Sequence, residues 1–399
     1  MIVRGWPGRH LTYCLNVHAG ERWDENRAAI ERFVPEIRRR LGRRGPMGLG
    51  LRLSDAASRE LLCEPAMTAF QRLLDRHELY VFTINGFPYG TFHGRPVKEA
   101  VYAPDWRTAE RLEYTGRLID ILGRLLPEGV EGSISTVPGS YGAWIEGKDD
   151  REAMARRLAQ AAERCFRLRE KTGAVVRLAL EPEPDCFLQR TADVIAFFES
   201  EMDAQSGRVV GSGRGAPGGC RAEALREHLG ICVDTCHTAL QFEDPTETLE
   251  RLHAAGIVVP KIQLSAALRL TRGASPQALA SFADPVYLHQ VRCREAGGRV
   301  RSFDDLPAAL DAAAGGELSD AEWRVHCHVP LYFKGAPPIE STADALSGAF
   351  FEAVRNVGTR HLEIETYTFD VLPGFAKAGD VTESIAREYE WTLGKMLKP

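Results

Sequence analysis

The chain has 399 residues, 44% of them hydrophobic, with a formal net charge of -5 and a pI near 6.2. That is enough chain to bury a large core, and the charge balance excludes the basic excess that a nucleic-acid surface requires. No stretch approaches the roughly 18 consecutive apolar residues of a membrane helix. The first residues also lack the basic-then-apolar pattern of a signal peptide, so a cytoplasmic protein without membrane insertion is expected.

Short β-rich runs alternate with amphipathic helical stretches. In chain order the runs are Leu11–Val17, Gly48–Leu53, Leu79–Ile84, Gly132–Val137, Val175–Leu180, Leu229–Val233, Val259–Leu264, Trp323–Val329 and His361–Thr366. Helical patterns between them include Asn26–Leu41, Thr108–Leu126, Arg151–Thr172 and Thr246–Ala255. Such alternation implies parallel strands joined by crossover helices, and eight units close a barrel. The expectation is one (β/α)8 TIM barrel over 1–399. Nine runs are one too many, and Trp323–Val329 is the one expected to lie outside, because it follows the longest irregular stretch.

Two regions break the rhythm. The Gly/Arg/Ser-rich stretch at about 205–222 predicts a flexible loop. Its Gly211-Ser-Gly213-Arg-Gly215 lacks the strand-before, helix-after setting of a phosphate loop. The stretch at about 266–322 predicts an insertion with one or two helices before the last strand. Insertions at the C-terminal strand ends of a barrel shape or cover its active site. The nine cysteines, from Cys14 to Cys327, lie mostly in apolar runs and read as reduced thiols, not as a disulfide framework.

Catalytic groups in a barrel come from the C-terminal ends of its strands, and here the later runs end in potential ligands. The fifth ends in Glu181-Pro-Glu183-Pro-Asp185, where Pro182 stops strand pairing and fixes the first carboxylate at the rim. The sixth ends in Asp234-Thr-Cys-His237, a hard carboxylate and an imidazole on one strand-to-helix turn. The competing reading is that Asp234 caps the next helix and His237 is a satisfied surface residue. Cys232 and Cys236 read as small core fillers, since no second pair stands at zinc spacing. The seventh places Gln263 between apolar neighbours, a partner for a substrate hydroxyl. Then His326-Cys-His328 puts two histidines on one face, a metal signal of moderate specificity.

On the last run, Leu362 and Ile364 face the helices, so Glu363 and Glu365 point inward. A carboxylate inside a barrel needs a cation, either a metal ion or an internal Lys or Arg. The early runs bring Asn16, Asn85, Tyr89 and further aromatics and hydroxyls, suited to a small polyhydroxylated ligand. No serine-hydrolase elbow and no dinucleotide fingerprint in its proper context appears.

The order Glu181, Asp234-x-x-His237, a polar residue on the seventh strand and Glu365 resembles the xylose-isomerase-like barrels, which include sugar epimerases, inosose dehydratases and endonuclease IV. More closely, the chain resembles the EboE metabolite traffic proteins through Leu11–His18, Gly48–Ser54, Tyr80–Gly90, Gly132–Val137 with Pro138, Val233–His237, Lys261–Ser265 and His361–Thr368. The superfamily resemblance implies that Glu181, Asp234 and Glu365 bind a divalent metal (Mn, Zn, Mg or Co) and that His237 touches substrate. Gln263 stands where the superfamily has a histidine ligand, so His328 is taken as the fourth ligand and His326 as a substrate contact, with the two interchangeable. Asn85 and Ser135-Thr-Val-Pro138 do not supply the extra histidines of the endonuclease group.

Three functions follow as expectations. The first is a metal-dependent isomerase or epimerase acting on a sugar or cyclitol in small-metabolite biosynthesis or export. There Glu181 and Glu365 form a base/acid pair and His237 orients a hydroxyl. The others are a non-catalytic metabolite carrier on the same barrel and a metal-dependent phosphoester hydrolase.

Overall fold

The structure, a computed structural model, describes residues 1–93, 96–208, 219–316, 318 and 320–397. Eight short apolar segments form the inner sheet: β1 (His10–Tyr13), β2 (Met47–Arg52), β3 (Leu79–Asn85), β4 (Gly132–Thr136), β5 (Val176–Leu180), β6 (Leu229–Asp234), β7 (Lys261–Leu264) and, last in the chain, His361–Ile364. Nearly every residue in them is buried on both faces, as parallel strands covered by helices must be. The sheet runs in parallel order from β1 through the last strand, β7, β6, β5, β4 and β3 to β2. A parallel bridge between Cys14 and Gly50 brings its two edges together, so the barrel is nearly closed. All eight expected barrel runs are present. The helices Trp23–Arg40, Ala109–Leu125, Lys148–Thr172 and Pro245–Ala254 cover it where helical periodicity predicted them.

The ninth run lies outside the barrel, as expected. The insertion, however, is mainly a second sheet and not merely one or two helices. Its strands are β8 (Leu268–Leu270), β9 (Val291–Glu295), β10 (Val300–Phe303), β11 (Ala321–Val325), β12 (Gly335–Ala336) and β13 (Ile339–Ser341), which makes the last barrel strand β14. They pair antiparallel in the order β10-β9-β11-β8-β13-β12. One α-helix, Leu306–Ala314, and a 3-10 turn, Pro276–Phe282, accompany them. The apolar core is continuous from barrel to insertion, taking in Leu268, Leu270, Val291, Trp323 and Val325 together with Leu178, Ile262 and Leu362.

Helices Asp203–Arg208 and Gly219–His228 occupy both ends of the stretch read as a loop. The rest of it, with Gly211-Ser-Gly213-Arg-Gly215, lies outside the described residues. The eight cysteines described are unpaired. Among the described residues no helix is long and apolar enough to cross a membrane.

Candidate metal centre

Three carboxylates meet at the C-terminal mouth of the barrel. Glu181 follows β5 directly, Asp234 ends β6 and Glu365 follows β14. All three are buried, and one oxygen of each lies within 4.8 Å of the others. Asp234 takes the capping role weighed for it and keeps one oxygen free of it. Its Oδ1 caps the helix Thr235–Leu240, accepting from the N–H of Cys236 at 2.8 Å and of His237 at 3.1 Å, and from Ser265 Oγ at 2.6 Å. These three bonds favour the ionised form. Its Oδ2 has no partner, nor has Oε2 of Glu181. Glu365 Oε1 accepts from Asn16 Nδ2 at 2.7 Å and Asn85 Nδ2 at 2.9 Å. Asn85 is oriented in turn, since its Oδ1 accepts from the Phe87 N–H at 3.1 Å.

Burial, and then the neighbouring carboxylates, push Glu181 and Glu365 well above the usual carboxylate range. Packing like charges in a dry site is unfavourable unless a cation relieves it. Lys261 is committed elsewhere: its Nζ lies 2.6 Å from Glu363 Oε2, with both side chains fully buried. Of the two inward glutamates on β14, the lower is therefore held by a lysine. The upper stands with Glu181 and Asp234, whose Oε2 and Oδ2 are unpartnered. That donor set fits a hard divalent ion.

Beside the carboxylates stand three histidines. His237, on the turn after β6, is 5% exposed, and His326 and His328 sit on the extended segment that leaves β11. The second sheet holds this segment across the mouth: His326 N–H donates to Gln290 O at 2.9 Å and Val329 N–H to Ala266 O at 3.0 Å. Among the described residues His328 clusters with Asp234 and His237, and with Cys236 and His326, rather than with the two glutamates. The reason is its ring orientation, fixed by Nδ1 against Glu365 O at 2.9 Å.

A cleft of about 550 Å³, counting its open mouth, leads to this centre. Asn16, Asn85, Glu181, His237, His326 and Glu365 line it, as a site built from them requires. Two expected contacts stand apart. Tyr89 packs edge-on against Tyr114, with ring centroids 5.1 Å apart, away from the lining. Gln263 is fully buried and its Oε1 takes the thiol of Cys232 at 3.0 Å. It sits one residue pair below the rim, in register with Glu363.

The sequence reading named Glu183 on the acidic turn and gave it no role of its own. Tyr102 Oη donates to its Oε1 at 2.8 Å, and burial pushes its carboxyl up to about 8. Its signal was present, since it is two residues beyond Glu181 on the same acidic turn. Tyr287, Leu288 and Gln290 also reach the site, carried by the insertion, and nothing local in the sequence marks them. Phe92, Tyr287 and Tyr367 form an aromatic group around the cleft, with centroids 5.2–5.5 Å apart.

The fold is a nearly closed TIM barrel, and solved structures that share it are xylose isomerase-like barrels. A protein so described from Mycobacterium smegmatis, solved in complex with magnesium, superposes with a TM-score of 0.53 over 97% of this chain and 96% of that one, at 11% identity. Weaker likenesses include the probable 3-DHS dehydratase AsbF from Bacillus anthracis (TM-score 0.49, 13% identity, 96% and 98% covered) and an L-ribulose 3-epimerase (0.49, 14%, 98% and 94%). At such identities the likeness is one of fold. No known family pattern matches the chain, and no curated protein does.

Proposed function

We propose that the chain is a divalent-metal-dependent isomerase or epimerase of a sugar- or cyclitol-like metabolite, with an ion held by Glu181, Asp234 and Glu365. The observation that carries this reading is the buried carboxylate trio with unpartnered oxygens on Glu181 and Asp234. When bound, the ion supplies electrophilic polarisation of two vicinal substrate oxygens. The chain's residues supply the rest. β5 and β14 are three strands apart around the barrel, so Glu181 and Glu365 approach a ligand from different sides. A carboxylate on each side suits one to take and the other to return a proton at the carbon beside the carbonyl. His237 faces the same cleft and can orient a hydroxyl. The aromatic group around the cleft stacks on ring C–H faces and limits water. The sequence resemblance to the EboE proteins supports a place in small-metabolite biosynthesis or export.

The test begins with metal content. Wild type and Glu365→Gln, purified without chelator, are compared by elemental mass spectrometry; one equivalent is expected to be lost in the variant. The loaded wild type is then incubated in D2O with D-fructose, L-ribulose and an inosose. Deuterium entering at the carbon beside the carbonyl is expected for at least one of them, falling 10²–10⁴-fold in Glu181→Gln. Exchange that survives complete metal removal overturns the mechanism. Tight binding of these compounds without exchange moves the protein to the carrier reading.

A further inference from the structure

The cleft that leads to the carboxylates has two parts of opposite chemistry. Residues at or just beyond strand ends make its floor: Asn16, Asn85, Glu181, His237 and Glu365. Two loops make its side wall. The segment after β3 brings Phe87, Val97 and Val101, and the insertion brings Tyr287 and Leu288.

The two loops are tied to each other. Val97 N–H donates to Val286 O at 3.1 Å, and Lys98 Nζ donates to Tyr287 O at 3.1 Å. The rings of Phe92 and Tyr287 lie 5.5 Å apart, and those of Phe87 and Tyr102 5.9 Å apart. The wall is therefore built by the fold. Yet Val97, Val101 and Leu288 are only half-buried. Aliphatic side chains left half-open along a concave cleft mark a surface that a ligand covers.

Charge points the same way. Among the described residues Lys98 is the one Lys or Arg in the lining. Asp305 Oδ2 already matches its ammonium at 2.5 Å. Asp305 is fixed in turn, because its Oδ1 accepts from the N–H of His289 and of Leu306 at 3.0 Å each. Lys98 thus straps the loops together, and among the described residues the wall has no free cation for a phosphate or carboxylate. A bare hexose or cyclitol carries an oxygen on nearly every carbon. A hydroxyl pressed against Val97, Val101 or Leu288 would lose water and gain no partner. A methylene in the same place is stabilised by leaving water.

We propose that the ligand is a polyol bearing an uncharged hydrocarbon substituent. Its hydroxylated head lies on the carboxylate floor, and the substituent lies along Val97, Val101 and Leu288. The proposal rests on the reading of the cleft as a polyol site and names the class of polyol; it does not depend on turnover.

The test is calorimetric titration of the metal-loaded full chain with methyl, propyl, butyl and hexyl glucopyranosides, in both anomeric series. In at least one series binding should tighten about three- to fourfold for each added methylene. A hexyl chain ending in a carboxylate should bind at least about tenfold more weakly than hexyl itself. In Val101→Thr and in Leu288→Asn the gain per methylene should fall below about twofold. Affinity independent of chain length in both series, absence of binding by every member, or tighter binding of the carboxylate overturns the proposal. So does a slope that persists in both variants, since the chain would then lie elsewhere. Should a variant fail to fold, the wild-type slope and the carboxylate comparison decide. Deuterium exchange into D-fructose, L-ribulose or the inosose beside a flat series would leave the isomerase reading standing without this one. A steep series in a protein that shows no exchange would do the reverse.

Discussion

Strand β14 shows how position along one strand separates two identical side chains. Glu363 and Glu365 share a face two residues apart, yet Lys261 on the adjacent strand meets only the first. Burial opposes charge on Lys261, and the Glu363 carboxylate more than offsets it, holding the ammonium above its usual pKa. Gly50 makes room for the pair, since a Cβ there would stand 1.9 Å from Glu363 Oε1. Removing one member leaves the other charge buried and alone, so Lys261→Met and Glu363→Gln should each destabilise by about 3–5 kcal/mol. The double variant should lose less than the sum of the two, by a coupling of about 2 kcal/mol. Chemical unfolding of the four proteins measures it, and strictly additive losses would show that the two charges do not depend on each other. Alternation along His361–Ile364 made both glutamates legible as inward groups, and a lysine partner was one of the two answers open. It could not say which glutamate takes which answer. That depends on the register of β7 against β14, a contact made across about 100 residues of intervening chain.

At the scale of elements, legibility follows locality. The barrel strands read cleanly because they are buried runs, β3, β5, β6 and β14 ending at or just before an Asn or an acid. The insertion's strands do not: β9 is Val-Arg-Cys-Arg-Glu and β10 is Val-Arg-Ser-Phe, partly exposed, and β11 pairs with β8 some fifty residues earlier. Their meaning lies in that pairing, which delivers His326 and His328 to the mouth. The C-terminal helix Val381–Met396 braces the far end of the same segment. Its buried Glu388 accepts from Leu331 N–H at 3.1 Å and from Thr366 Oγ1 at 2.7 Å. Burial pushes this carboxyl up to about 7. A folded pKa above the unfolded value of about 4.3 means that the folded state holds the extra proton between the two. Stability therefore falls as pH rises from about 4 to 7, by an amount on the order of 3 kcal/mol. Glu388→Gln should remove this component. The gap in Tm between variant and wild type should widen in the variant's favour from pH 5 to pH 8, and parallel curves would contradict the assignment.

For the molecule as a whole, the centre joins what the topology keeps separate. Carboxylates come from three barrel strands, and two histidines come from the sheet inserted between β7 and β14. Without a cation, the mouth holds buried carboxylates side by side. If the proposed ion also takes His328, which groups with Asp234, it cross-links barrel and insertion. Binding to the folded chain alone stabilises it by about 2.7 kcal/mol at a free ion concentration of 100 Kd. The gain should be concentrated where the cross-link forms, because local opening of 326–329 would then require breaking metal bonds. Hydrogen exchange of the stripped and zinc-loaded protein resolves this. The amides of His326 and Val329, bonded to Gln290 O and Ala266 O, should slow by one to two orders of magnitude on loading. Amides of the outer helix Ala109–Leu125, which supplies none of the carboxylates or histidines, should change little. Uniform slowing over the barrel would mean that the ion stabilises the fold without tying the insertion to it. Unchanged exchange at 326–329 alongside protected amides around Glu181 and Asp234 would confine the ion to the carboxylates.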